Sequence, residues 1–371
     1  MLPIYNELQR CEKFGIRGVL GTIIQTQGST YQKPGTKCFI SEDGKLTGLL
    51  SGGCVESDLG EHAKELLQQS NCKRLYYDFR DNGDDLWGLG LGCNGSMEIF
   101  LEPFDPKEMP MKAELMKKAV HLALTQFTVT ATIVDAENQE IIGQKWILSP
   151  GIEDNIPAQL EQEYETNQLT GTQGLSTIIY NGQPVKVFFD AVSPNPHLMI
   201  FGAGPDAVPL VNGAKLLNWT VSVMDHRPGY VNKLYFPQAD YLYCIPKGKE
   251  PDVTISENSF VVIMTHHFEQ DQMLLKHLLD SDAAYIGILG PKKRTYQLLD
   301  TLEGNLSRKT LDRLYSPIGL DIGSKTPEEI GLSVLSEMVM IHHGGCGKSL
   351  KAVKGTDFSI YTKAGELTFQ A

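Results

Sequence analysis

The chain has 371 residues, 33 basic and 45 acidic side chains, and a formal net charge of −12 at pH 7. At roughly 100–200 residues per domain this length argues for two domains with sizeable cores, and 41% hydrophobic with 21% charged residues is the balance of a globular protein. The acidic excess argues against nucleic acid as a partner, and no apolar run approaches the ~18–20 residues of a membrane span.

Charges scattered through the first twenty residues argue against a signal peptide, so a cytoplasmic protein is expected. The seven cysteines, Cys11, Cys38, Cys54, Cys72, Cys93, Cys244 and Cys346, form no CxxC pair and no zinc-like spacing with histidine. Neither a disulfide framework nor a metal site is expected from them.

In chain order, residues 18 to 103 are glycine-rich, with short β-type runs VLGTII, TKCFIS, LTGLLS and MEIFLEP. VESDLGEHAKELLQ reads as a helix with Ser51 or a neighbour near its N-cap. The stretch 105–190 is plainer: a helical AELMKKAVHLALTQ, strands TVTATIVDA and KVFFDAV, and an acidic segment read as a surface excursion. Pro194 and Pro196 mark a hinge.

Beyond the hinge, strands LMIF, TVSVMD, SFVVIMT and AAYIGILG alternate with helical segments DAVPLVNGAKLLN and QMLLKHLLDSD. Nearly uncharged strands alternating with helices imply a parallel sheet covered on both faces. The fold class is therefore α/β: a Rossmann-like, doubly wound parallel sheet in 197–371, preceded by an α+β domain in 1–192.

FGAGPDA supplies G-x-G-x-x-A between a strand and a helix, with Gly202 for the tight turn, Gly204 for close approach of a pyrophosphate, and Ala207 for helix–strand packing. Asp225 closes the next strand, 23 residues past Gly202, where a ribose-binding carboxylate belongs. Asp206 in the first helical turn would repel a nearby phosphate, and Arg227 can either pair with Asp225 or meet a ligand. Nucleotide binding and a turn kept only for packing both remain open. His266, and Arg294 beside Gly290, Lys292 and Lys293, follow strand ends where open α/β sheets place ligands; strand capping and a solvated helix start are the plainer readings. His342, His343 and Cys346 form a C-terminal cluster, read as an extension after a helix stop at Gly344-Gly345.

The front half holds a second glycine system: Gly28, Ser29 and Thr30; Ser51, Gly52, Gly53, Cys54 and Glu56; and a loop containing Cys93. Such turns expose backbone N–H groups as anion nests, and a thiol at a helix N-terminus is activated. The alternative is tight turns around inert, buried thiols.

These blocks resemble the XdhC/CoxI family, the accessory proteins of xanthine dehydrogenase and related molybdenum hydroxylases. The matching segments are Gly28-Ser29-Thr30, Pro34-Gly35, Asp43-Gly44, Ser51 to Glu56, Gly90 to Gly95, FGAGPDA, DHR at 225–227, MTHHFEQD, YIGILGPKKR, and the stretch from Ser316 to Met338. Tyr31-Gln32 stands where the family usually has Pro-Arg, and Asn94 where many relatives have Gly.

The resemblance implies a non-catalytic chaperone of the molybdenum cofactor (molybdopterin), a pterin dithiolene carrying a phosphate. Such a protein protects the cofactor, supports its sulfuration, and inserts it into a molybdoenzyme client such as xanthine dehydrogenase. A cysteine desulfurase is the implied sulfur source. The cofactor-binding set expected is Gly28, Ser29, Ser51, Gly52, Gly53, Cys54, Glu56, Cys93, Gly202, Gly204, Asp225, Arg227, His266 and Arg294. A homodimer is the default for such a chain, and the two glycine systems are expected to serve one guest. The competing reading is an NAD(P)-dependent oxidoreductase built on Gly202, Gly204, Ala207 and Asp225.

Overall fold

The computed structural model describes residues 1–53, 55–80, 95–148, 156–170, 173–302 and 306–354. Cys54 and Cys93 lie outside the described residues. The chain divides into two units, Met1–Pro194 and Asn195–Ala371.

The first unit opens with α1 (Leu2–Phe14), β1 (Gly18–Gly28), β2 (Lys37–Ser41), β3 (Leu46–Gly48), α2 (Glu56–Gln69), β4 (Lys73–Asp78) and β5 (Gly95–Phe104). The strands form an antiparallel sheet in the order β3-β2-β1-β5-β4. Alternation along β1 divides it between two cores. Val19 and Ile23 pack under Leu59, Ala63 and Leu66 of α2, while Leu20 packs with Ile4 and Leu8 of α1 on the opposite face.

Next come α3 (Pro110–Thr125), β6 (Thr128–Ala136), β7 (Lys145–Ile147), α4 (Ala158–Thr170), β8 (Gly174–Tyr180) and β9 (Gln183–Val192). These strands make a second antiparallel sheet, β7-β6-β9-β8. Ile24 and Phe100 of the first sheet meet Val134 and Phe188 of the second. Lys37 and Asp190, each 8% exposed at the side chain, pair in the interior, and Gln173 Nε2 donates to the same carboxylate at 3.0 Å. The motif-poor stretch is thus a packed layer. The acidic segment expected as a surface excursion contains α4, anchored by buried Leu160.

The second unit runs β10 (His197–Phe201), α5 (Ala207–Leu216), β11 (Thr220–Asp225), β12 (Tyr241–Cys244), β13 (Ser259–Ile263), α6 (Phe268–Leu279), β14 (Tyr285–Ile288), α7 (Lys292–Leu299), α8 (Arg308–Leu311), β15 (Leu314–Tyr315), α9 (Pro327–His342) and α10 (Leu350–Lys354). All six strands are parallel, in the order β12-β11-β10-β13-β14-β15.

Leu198 and Ile200 of β10 face a core shared with Leu210, Val334 and Met338, whereas Met199 and Phe201 face one shared with Leu274, Leu278 and Leu298. Helices thus cover both faces, and the expected Rossmann-like sheet is present. Helix α9 starts at a capping box: Thr326 accepts from the Glu329 N–H, Glu329 reaches back to the Thr326 N–H, and Pro327 fills the first turn. It ends at His342, and Gly344 then takes φ 66°. No cluster of three or more metal-ligating side chains occurs among the described residues, and no described helix is long and apolar enough to cross a membrane.

Candidate functional site

Strand order in the second unit reverses between β10 and β13, so the crevice beyond their C-terminal ends is the topological switch point. The glycine turn enters it. Gly202 has φ 125°, and a Cβ there would lie 2.3 Å from the Met264 carbonyl oxygen, so only glycine fits between β10 and β13. A Cβ on Gly204 would lie 2.3 Å from Asp206 Oδ1. The space over Gly204 that a pyrophosphate would use is therefore held by the Asp206 carboxylate.

Asp206 Oδ2 in turn meets His266 Nε2 at 2.9 Å. His266 is 62% exposed at its side chain and has φ 60°, a left-handed conformation that a non-glycine residue adopts at a cost of order 1 kcal/mol. The Asp206 carboxylate thereby fixes the orientation of the exposed ring through Nε2.

Asp225 is occupied by the protein itself. Its Oδ1 accepts from the Arg227 N–H and Nε, both at 2.9 Å. Its Oδ2 accepts from the Ala203 N–H at 2.8 Å and Arg227 Nη2 at 2.7 Å. Those donors use the roughly four acceptor positions of a carboxylate. Burial alone would raise this carboxyl, but the bonds from Arg227 and the Ala203 amide outweigh it and take it from 3.8 down to about 2. Arg227, 39% exposed, also lies 4.3 Å over the Tyr230 ring.

Arg294 likewise has a partner: its Nη2 donates at 2.7 Å to Asp271, whose other oxygen takes the Thr265 hydroxyl, and Asp271 is 1% exposed. Lys247 Nζ sits 2.8 Å from His267 Nε2, and His267 Nδ1 is buried with no hydrogen-bond partner among the described residues. A small apolar-walled cavity of about 20 Å³ next to Phe201, Met224 and Leu274 is edged by Asp225, Lys249 and Thr265. It is far too small for a nucleobase.

In the first unit, three signature segments gather at one end of the first sheet. Gly28 pairs with Gly95, and a Cβ on Gly95 would meet the backbone of Gln27 and Ser29 at 2.4–2.9 Å. The Tyr31 ring lies beside Gly52. Glu56, 9% exposed, turns back into its own bend. Its Oε1 accepts from the Leu50 and Ser51 N–H groups at 2.9 and 2.8 Å, and its Oε2 from Ser51 Oγ at 2.5 Å and the Gly53 N–H at 3.0 Å. Burial would raise this carboxyl; the Ser51 hydroxyl and the backbone donors hold it below its ordinary value.

Two sequence expectations need correction. The amides of Leu50, Ser51 and Gly53 are not free for an anionic guest, because Glu56 already fills the nest they form. Nor does Ser51 cap α2: the helix starts five residues later, and Ser51 Oγ accepts from the Val55 N–H at 2.9 Å. Sequence reasoning missed Asp271, Thr265 and the role of Asp206. The run His266-His267 at a strand end was the available signal, but partners 60 and 23 residues away leave no local pattern.

Residues 12–78 match the model of the XdhC and CoxI family, and residues 198–338 that of the XdhC Rossmann domain. A Bacillus subtilis protein named as a probable xanthine dehydrogenase subunit is 32% identical over 322 residues, 86% of this chain and 92% of the relative. The Escherichia coli molybdenum cofactor insertion chaperone PaoD is 20% identical over 328 residues, 88% of this chain and 84% of PaoD. A crystal structure described as a xanthine dehydrogenase from Bacillus halodurans superposes with a TM-score of 0.73 at 31% identity, covering 96% of this chain and 98% of that one. Two family models in chain order and a relative matched along nearly its whole length converge: the chain belongs to the XdhC and CoxI family.

Proposed function

We propose that this chain is an accessory protein that carries the molybdenum cofactor as cargo and inserts it into a xanthine-dehydrogenase-type molybdoenzyme. The observation that carries the reading is the His266–Asp206 pair. It is an exposed imidazole held in a strained backbone at the switch point, which is where a Rossmann-like sheet receives a ligand. Family membership and the name of the PaoD relative support the cargo's identity. Arg227, Lys247 and Lys249 supply cations at the same C-terminal end of the parallel strands for an anionic guest.

The same reading includes protection of the cofactor and support of its sulfuration with a cysteine desulfurase as sulfur source, which rest on the family resemblance; a cytoplasmic setting and a homodimer are carried with it as expectations from the sequence. The oxidoreductase alternative gains no support from the site, since Asp225 has its acceptor positions engaged and Asp206 covers Gly204.

The test loads the purified full-length chain with molybdenum cofactor, adds apo-xanthine dehydrogenase and reads xanthine oxidation by the reconstituted client. Glycine accepts φ 60°, so His266→Gly is expected to keep its melting midpoint within about 2 °C while cofactor retention falls at least tenfold. Wild-type loading and transfer by this variant would remove His266 from the proposal. NAD or NADP binding tighter than cofactor binding would overturn the proposal as a whole.

A further inference from the structure

A groove of about 480 Å³ runs along α2 in the first unit, between that helix and the β2–β3 hairpin. Its volume is that of a small-molecule site. Ile40 and Leu46 from the hairpin, and Ala63 and Leu67 from α2, supply its apolar wall.

Gly60, inside α2, opens onto this groove. A glycine in a helix interior is destabilising relative to alanine, because it gives up more backbone freedom on folding. Packing gives no reason for it: a Cβ at Gly60 would find nothing within 4 Å, and its φ lies outside the left-handed region. The helix therefore forgoes stability at the position where a side chain would narrow the groove.

The charges around the groove are matched internally. Arg17 bonds Glu42 and the Leu67 carbonyl, Lys64 bonds Glu61, and Glu56 receives the donors of its own bend. Ser57 and Gln68 carry polar side chains with no protein partner among the described residues.

We propose that this groove binds an uncharged organic molecule of small-molecule size, its apolar body against the aliphatic wall and its polar edge toward Ser57 and Gln68. The site goes beyond the cofactor-transfer reading. Its test uses no molybdenum cofactor, so either can fail alone.

The probe is Nile red, an uncharged apolar dye, titrated into the full-length chain and followed by fluorescence. Saturable one-to-one binding is expected. Gly60→Leu should weaken it at least tenfold while leaving the melting midpoint unchanged or higher, and Gly60→Ala should raise the midpoint with a smaller loss of binding. Leu46→Glu, on the exposed hairpin, should weaken binding at least tenfold independently of the helix. Leu216→Ser in the second unit, which removes an 84% exposed leucine, controls for general surface adsorption and should leave binding unchanged. The anionic dye 8-anilinonaphthalene-1-sulfonate should bind at least tenfold more weakly than Nile red. The proposal is overturned if Nile red does not saturate, if it binds Gly60→Leu and Leu46→Glu as it binds wild type, or if the anionic dye binds as well.

Discussion

Glu56→Ala is expected to destabilise the first unit by about 3 kcal/mol, the largest loss from a single side-chain truncation in the signature bend. The variant strands the buried N–H groups of Leu50 and Ser51 and the Ser51 hydroxyl, each losing a bond to a charged acceptor. An unsatisfied buried donor costs about 1–3 kcal/mol. Gly53 is exposed, so water can replace its share.

For a unit of this length the loss corresponds to a fall of about 6–12 °C in the calorimetric midpoint. Glu56→Gln keeps one oxygen for Leu50 and Ser51 but turns an amide donor toward the Gly53 N–H, so about 1–2 kcal/mol is expected. The folded carboxyl sits below its ordinary 4.5. Its contribution is therefore complete above that pH and fades as acid titrates through the lower folded value. Midpoints for wild type and Glu56→Ala that agree within 1 °C at pH 7 would show that the bend holds itself without this carboxylate.

Asp225→Asn is the second large effect, on the order of 2 kcal/mol at pH 7. The magnitude follows from a carboxyl lowered from 3.8 to about 2 by Arg227 and the Ala203 amide. Because the folded value is depressed, the wild-type advantage is full above 3.8 and shrinks as the pH falls from there toward 2. Urea unfolding of both proteins at pH 7 and again at pH 3 should show the gap narrowing. A gap that stays constant, or widens in acid, would contradict the role assigned to Asp225. The substitution also loosens the Ala203 amide, so the glycine turn should show faster hydrogen exchange.

These two carboxylates explain how far the sequence could be read. Strand runs, helical spacing and glycine turns are local signals, and they locate β1, β5, β10, β11, β13, α2 and α5 because neighbours along the chain determine them. The motif spacing also marks Glu56 and Asp225 as special. It does not say where their lone pairs go, since a carboxylate facing a guest and one facing its own backbone occupy the same place in a pattern. The two-residue strand β15 and the tyrosine-bearing edge strand β12 escape notice because tertiary pairing, not alternation, makes them strands. The Asp206–His266 and Asp271–Arg294 pairs are products of the sheet order, which brings together residues that no sequence window spans.

The register of β10 has a consequence for synthesis. His197 aligns with Thr220 on one side and with Ser259 on the other, so the central strand receives its second neighbour only after β13 has left the ribosome. At roughly 5–20 residues per second the nascent sheet waits several seconds with one flank of LMIF bare. During that interval the nascent chain carries an unpaired strand edge open to aggregation, and a holdase acting then would raise yield without touching the finished fold.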